Sequence, residues 1–139
     1  MKVSRNRLGN VGNSYQGQFR RVLCVCAGGV LRSPTLAEIL SRDPFNFNTR
    51  SVGINQDYAL TPVDLVHVAW ADYIVVMDSG QEQYIKALQL ELYQMNRGMF
   101  DTVECPVYNF RVEDDYEFRD PHLVRILIEK SHEFFKLGD

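Results

Sequence analysis

Val22-Leu23-Cys24-Val25-Cys26, then Ala27-Gly28-Gly29-Val30-Leu31-Arg32, then Ser33-Pro34, is the stretch that settles the architecture. Its first five residues are apolar without a break. That is the pattern of a strand buried on both faces of a parallel sheet. Ala27 to Leu31 is a loop of small and apolar residues. Ser33-Pro34 predicts a helix start, because serine is a good N-cap and proline fits the first helical position. Leu36, Ile39 and Leu40 supply the apolar stripe of that helix, and Asp43-Pro44 ends it.

The same alternation continues downstream. Phe47 to Val52 reads as a second strand, and Thr61-Pro62-Val63-Asp64 as the opening of a helix through Leu65, Val66 and Val68. Asp72 to Met77 reads as a third strand, and Ser79 starts a helix striped with Tyr84, Ile85, Leu88 and Leu92. Thr102 to Tyr108 reads as a fourth strand. Asp120-Pro121 opens a last helix with Leu123, Ile126, Leu127, Phe134 and Phe135 facing inward. The order β-α-β-α-β-α-β-α predicts an α/β three-layer sandwich, a four-stranded parallel sheet with helices on both faces. Ligands of such sheets bind beyond the carboxyl ends of the strands, which is where Cys26 stands.

A chain of 139 residues has the length of one domain and can bury a core without disulfides or metals. No apolar run approaches the ~20 residues of a membrane span. Met1 to Asn10 has no apolar core, so no secretory signal is expected. Three cysteines, Cys24, Cys26 and Cys105, fit reduced thiols in a cytoplasm. No Cys/His spacing suggests zinc, and neither metal nor cofactor is expected. The net charge is −3, but residues 1–21 hold five basic residues and no acid, leaving net −8 on the remainder. Residues 1–20 read as a flexible basic arm on a domain spanning 21–139. Five charges over twenty-one residues make no dense basic patch, so nucleic acid is not the expected partner.

The spacing cysteine, five residues, arginine suits thiol attack on a phosphate ester. The nucleophile must be a thiolate, which a helix N-terminus and nearby cations favour. The phosphate oxygens need donors. Inward-turned amides of Ala27, Gly28, Gly29, Val30 and Leu31 would form an anion nest, with glycines tolerating its backbone angles. Arg32 would add a planar fork, and Ser33 would both bond the sulfur anion and cap the helix. The bland alternative, Cys26 as a small buried hydrophobe, is disfavoured by the strand–loop–helix context with two glycines inside. A proton donor for the leaving oxygen is also required. Asp120 has a structural task as helix cap. Asp114 and Asp115 have none, and spacing alone does not choose between them. Tyr116 and Phe118 suit either an apolar wall for an aromatic phosphoester or core contacts.

With these residues in view, Val22 to Glu38 resembles the phosphate loop and first helix of low-molecular-weight protein tyrosine phosphatases, whose pattern is a hydrophobic strand followed by C-x-G-N-x-C-R-S-P. Ser51-Val52-Gly53 is similar to the Ser-Ala-Gly segment after that family's second strand, and Ala71 to Asp78 to its third strand. Glu113-Asp114-Asp115-Tyr116 stands where the family has Asp-Pro-Tyr. The resemblance covers about residues 21–137. It implies that Cys26 attacks phosphorus, that Arg32 and the loop amides hold the phosphate, and that Ser33 stabilises the thiolate. It further implies that Asp114 is the acid, with Asp115 in reserve and Ser51 and Tyr116 in support. The implied partner is a phosphorylated protein or a small aromatic phosphoester.

Three departures stand out. The family's loop asparagine is Gly29, so its brace to the serine matched by Ser51 is lost. Its second loop cysteine is Leu31, and the proline of its acid loop is Asp115. The run EDDYEFRDP looks more like a divergent bacterial and phage branch of predicted phosphatases. Competing readings are a thiol arsenate reductase, for which Cys105 offers no resolving pair, and a cysteine phosphocarrier, which lacks an arginine at this spacing. A phospho-binding module without catalysis is the third.

Overall fold

The structure, a computed structural model, describes residues 20–28, 32–57, 59–96, 105–113 and 120–135. The expected arm, residues 1–20, lies outside this set except for Arg20. Strand β1 spans Arg21–Cys26, helix α1 Arg32–Leu40, β2 Asn48–Gly53 and α2 Leu65–Trp70. They are followed by β3 over Tyr73–Val76, α3 over Ser79–Asn96, β4 over Val107–Asn109 and α4 over Pro121–Phe134. The strands form one sheet in the order β2-β1-β3-β4, with every pairing parallel.

Alternation along β1 divides the core. Val22, Cys24 and Cys26 pack with Leu36, Ala37 and Leu40 of α1 and with Leu123 and Leu127 of α4. Leu23 and Val25 face the other way, onto Val68 of α2 and Ile85 and Leu92 of α3. The result is helix, sheet and helix in three layers, the arrangement that a strand with two apolar faces requires. Phe47, Tyr73, Tyr108, Phe134 and Phe135 interlock at ring separations of 5.0–5.4 Å in the closer pairs, closing the α4 side. No described helix is long and apolar enough to cross a membrane.

Several boundaries differ from expectation. Helix α1 begins at Arg32, two residues before the Pro34 start that a Ser33 cap implied. Helix α2 is capped by Asp64, whose side chain accepts from the His67 amide while the His67 ring accepts from the Asp64 amide. Thr61 does not cap it, because Thr61 to Val63 pairs with the end of β2: Gly53 N donates to Thr61 O and Val63 N to Gly53 O. Among the described residues β4 is three long and ends at Asn109, beyond the Tyr108 expected. Residues 102–104 of that expectation lie outside the described set.

At the amino end of the sheet, Asp72 joins β1 to β3. Its carboxylate accepts from the Arg21 amide at 2.9 Å and pairs with the Arg21 guanidinium at 3.4 Å. Burial raises this carboxyl. The Arg21 hydrogen bonds and charge, with Arg20 beyond, outweigh it and hold the group below its ordinary range. A depressed carboxylate stabilises the fold at pH above its unfolded value of about 3.9 and loses that contribution as pH falls through the folded value. Asp72→Asn should therefore lower the urea midpoint at pH 7, and the gap from wild type should close as pH drops below about 4.

Candidate active site

The order β2-β1-β3-β4 places a switch point beside β1, since the chain leaves β1 for β2 on one side and returns as β3 on the other. A crevice opens at such a point beyond the carboxyl ends. Cys26 is the last residue of β1 and is 3% exposed. Its Sγ lies 3.1 Å from Ser33 Oγ in the first turn of α1. Ser33 Oγ in turn lies 2.8 Å from Ser51 Oγ on β2 and 3.5 Å from the Val52 carbonyl. A hydroxyl has one proton and two acceptor sites. When the sulfur is an anion, Ser33 donates to it and accepts from Ser51. When the sulfur carries its proton, Ser33 can turn its own toward Ser51 or Val52. The side chain of Ser33 is committed to this chain rather than to capping, and Ser51, which lacks its asparagine partner here, reaches the loop's far end through Ser33 instead.

Arg32 is buried, and its Nη1 donates to the Val112 carbonyl at 2.7 Å. One such bond fixes the guanidinium without exhausting a group that has five N–H donors. Val112 follows β4 and is itself held by donation of its amide to Met77 O at 2.9 Å. A cleft of about 250 Å³ is lined by Arg32, Met77, Asp78, Ser79, Arg111, Val112 and Glu113. Ends of β3 and β4 thus meet the start of α1 at one opening.

Of the expected cradle, Ala27 and Gly28 are described, and Ala27 O accepts from Asn55 N at 2.9 Å. Gly29, Val30 and Leu31 lie outside the described residues, as do Asp114, Asp115 and Tyr116. Glu113, the stem of the acid segment, reaches the cleft that holds Arg32. Asp120 caps α4 by accepting from His122 N, the task its place before Pro121 implied.

Sequence reasoning missed Asp78 and Gln81. Asp78 accepts from the Gln81 amide at 2.8 Å and from its Nε2 at 3.2 Å, capping α3, and Gln81 Oε1 accepts from Met77 N at 2.7 Å. The Asp-x-x-Gln spacing at 78–81 is a capping-box signal that could have found them.

All three cysteines are free thiols. Burial, with Cys26 adjacent, pushes the Cys24 thiol far up. Burial and then Asp72 push Cys105 to about 11. Its sulfur sits 3.4 Å from the Asp72 carbonyl, at the opposite end of β3 from the cleft. Among the described residues no cluster of His, Cys, Asp and Glu could hold a metal.

No family model and no curated protein matches the sequence. Solved structures do match its fold. The tyrosine phosphatase Wzb from Escherichia coli, solved with phosphate, superposes with a TM-score of 0.61 at 17% identity, over 87% of this chain and 100% of that one. SP-PTP, a low molecular weight protein tyrosine phosphatase from Streptococcus pyogenes, gives 0.54 at 15% identity over 87% and 94%. The arginine phosphatase YwlE, known from Bacillus subtilis and solved as a cysteine-to-serine mutant with a phosphorylated active-site serine, gives 0.55 at 16% identity over 85% and 97%. The chain therefore has the fold of the low-molecular-weight protein tyrosine phosphatases.

Proposed function

We propose that the chain is a phosphomonoester hydrolase acting on phosphotyrosine, in a protein or a small aromatic phosphoester, through a cysteinyl-phosphate intermediate. The observation that carries this reading is the Cys26–Ser33–Ser51 hydrogen-bond chain at the carboxyl end of the central strand. It supplies, from the residue next to Arg32, a donor to a sulfur anion. YwlE's active-site serine, standing where its cysteine was, carries phosphate, and Wzb holds free phosphate. These support a phosphoryl site on this fold.

In the proposed reaction Cys26 Sγ forms a bond to phosphorus as the ester P–O bond breaks. Asp114 gives its proton to the departing oxygen. Arg32 and the amides of residues 27–31 hold the three equatorial oxygens, where charge collects. Water then attacks the same phosphorus, losing a proton to Asp114, and the S–P bond breaks to release phosphate and the thiolate. Ser33 donates to sulfur in both anionic states. No metal or cofactor has a part in this sequence. A thiolate nucleophile needs reducing surroundings, which is why a cytoplasmic setting belongs to the proposal. An arsenate reductase that resolves through a second thiol is disfavoured, since Cys105 lies against Asp72 at the far end of β3.

Wild type should hydrolyse p-nitrophenyl phosphate and phosphotyrosine peptide, and prefer the latter to phosphoarginine. Cys26→Ser should be inactive. Asp114→Asn should be slowed far more on phenyl phosphate than on p-nitrophenyl phosphate, whose leaving group needs no acid. Full turnover by Cys26→Ser would end the reading.

Ser33→Ala removes one hydrogen bond to a charged atom, so kcat should fall about 10- to 100-fold. Ser51→Ala, one bond further away, should cost less.

Iodoacetamide at pH 7, followed by peptide mass mapping, should label Cys26 ahead of Cys24 and Cys105, whose thiols burial holds protonated. Inorganic phosphate should slow that labelling.

A further inference from the structure

We infer that Asn109 is a positioning residue for Arg32, acting through a backbone bulge at Arg111; the inference rests on the phosphatase reading for its catalytic meaning. Beyond β4 the chain continues along β3, and the ladder there is uneven. Phe110 N donates to Val76 O and Val112 N donates to Met77 O, each at 2.9 Å. Two residues advance on one side while one advances on the other, so Arg111 is the extra residue of a bulge. Its φ is +55°, in the left-handed region. That conformation is unfavourable for a residue with a Cβ, and it persists only where neighbours enforce it.

The enforcing neighbour is Asn109. Its Oδ1 accepts from the Arg111 amide at 2.9 Å, the local side-chain bond by which asparagine stabilises a turn. Its Nδ2 donates to Glu82 Oε1 at 3.2 Å, and Glu82 pairs through its other oxygen with Lys86 at 3.0 Å. Both ends of the amide are thereby used, and the carboxylate fixes its orientation: a flipped amide would set its carbonyl against Glu82. Lys86, Asn109 and Arg111 hold the Glu82 carboxyl below its ordinary range, in keeping with an anion at this spot.

The consequence falls on the next residue. Val112, just past the bulge, presents the carbonyl that accepts from Arg32 Nη1 at 2.7 Å. A chain of contacts therefore runs from α3 through the Asn109 amide and the left-handed residue to the phosphate-binding arginine. The Arg111 side chain is exposed and lines the cleft, while Asn109 bonds its backbone amide, so what this chain of contacts requires of residue 111 is its backbone angle. Bulges recur next to active sites, where they re-aim a group, and here the group is a carbonyl that sets a guanidinium.

The test reads inorganic phosphate as a competitive inhibitor of p-nitrophenyl phosphate hydrolysis, alongside the thermal midpoint. Asn109→Ala should raise the phosphate Ki about tenfold, a coupling typical of residues in one network. Arg111→Gly alone removes a basic side chain from the cleft and sets its own reference Ki; adding Asn109→Ala to it should raise the Ki little further, because glycine adopts a φ of +55° without strain. In an Arg32→Lys background Asn109→Ala should leave the Ki unchanged. A purely structural role would lower the midpoint and leave the Ki where it was, which overturns the inference. So does an equal rise in both backgrounds. Should Asn109→Ala not fold, Glu82→Ala carries the same comparison, with an expected rise of about threefold. A wild type that binds no phosphate sinks the functional reading and this inference with it. A wild type that binds phosphate, with Asn109→Ala binding it equally, sinks the inference alone.

Discussion

Strand β1 must find hydrogen-bond partners on both edges and apolar cover on both faces, and the rest of the molecule is arranged to meet that demand. Val22 to Val25 are wholly buried, with no polar side chain to leave in water. Such a strand is stable only in the middle of a sheet between two helical layers. The β2-β1-β3-β4 order provides that place. The same order obliges the chain to leave β1 on one side and return on the other, which opens a crevice at its carboxyl end. The location of Cys26 is in this sense a consequence of hydrophobic burial. What burial does not supply is the polar machinery around it.

The two ends of the sheet solve different problems. At the amino end the contacts are half in solvent: Arg21 pairs with Asp72, and Arg50 stacks 4.4 Å from the centre of the Trp70 ring. Those contacts tie strands and helix ends together, and salt screens them. At the carboxyl end Arg32, Ser33, Ser51 and Gln81 are all buried. Polar groups are costly to bury unless bonded. Ser33 and Ser51 bond each other and the sulfur, Gln81 bonds Met77 and Asp78, and Arg32 bonds Val112. Each bond lowers the cost of burial and also removes a degree of freedom from the side chains that make it.

Legibility followed the range of the interactions involved. An unbroken apolar run, an Asp-Pro at the start of α4 and the alternation of elements are local patterns, and each predicted its element. The sheet order and the facing of Cys26 toward α1 and α4 follow from period-two alternation once β1 is central. Thr61-Pro62 read as a helix opening because that spacing is a common one. It was overridden by pairing with Gly53, a tertiary contact that no local pattern reveals. The bulge at Arg111 was invisible for a sharper reason. Left-handed positions announce themselves through glycine, and here an arginine takes one, supported by an asparagine two residues earlier. Asp78 and Gln81 carried a readable spacing that the more familiar Ser79 start concealed. The acid candidates Asp114 and Asp115 remain a matter of resemblance, since they lie outside the described residues.

Cys24 and Cys26 show how small a change in register separates a walled-in thiol from one that meets a hydroxyl at the strand's end. Both lie on the same face of the same strand, two residues apart. The ladder to β2 runs on to Cys26 opposite Gly53, but the ladder to β3 stops at Cys24 opposite Val75. Cys24 is thus walled on both edges, and burial makes its anion prohibitive. One pleat further the β3 side has opened, and a hydroxyl stands where a hydrophobe would otherwise close the core. Their side chains run parallel, about 6.6 Å apart at a strand rise of about 3.3 Å. A disulfide needs its Cβ atoms about 3.8 Å apart. The neighbour on β1 can therefore neither quench nor protect Cys26, and the third thiol is at the wrong end of β3. Whatever reactivity the strand's last residue has is governed by Ser33, whose hydroxyl lies against its sulfur, and by the anion it meets, since no second sulfur among the described residues is in reach.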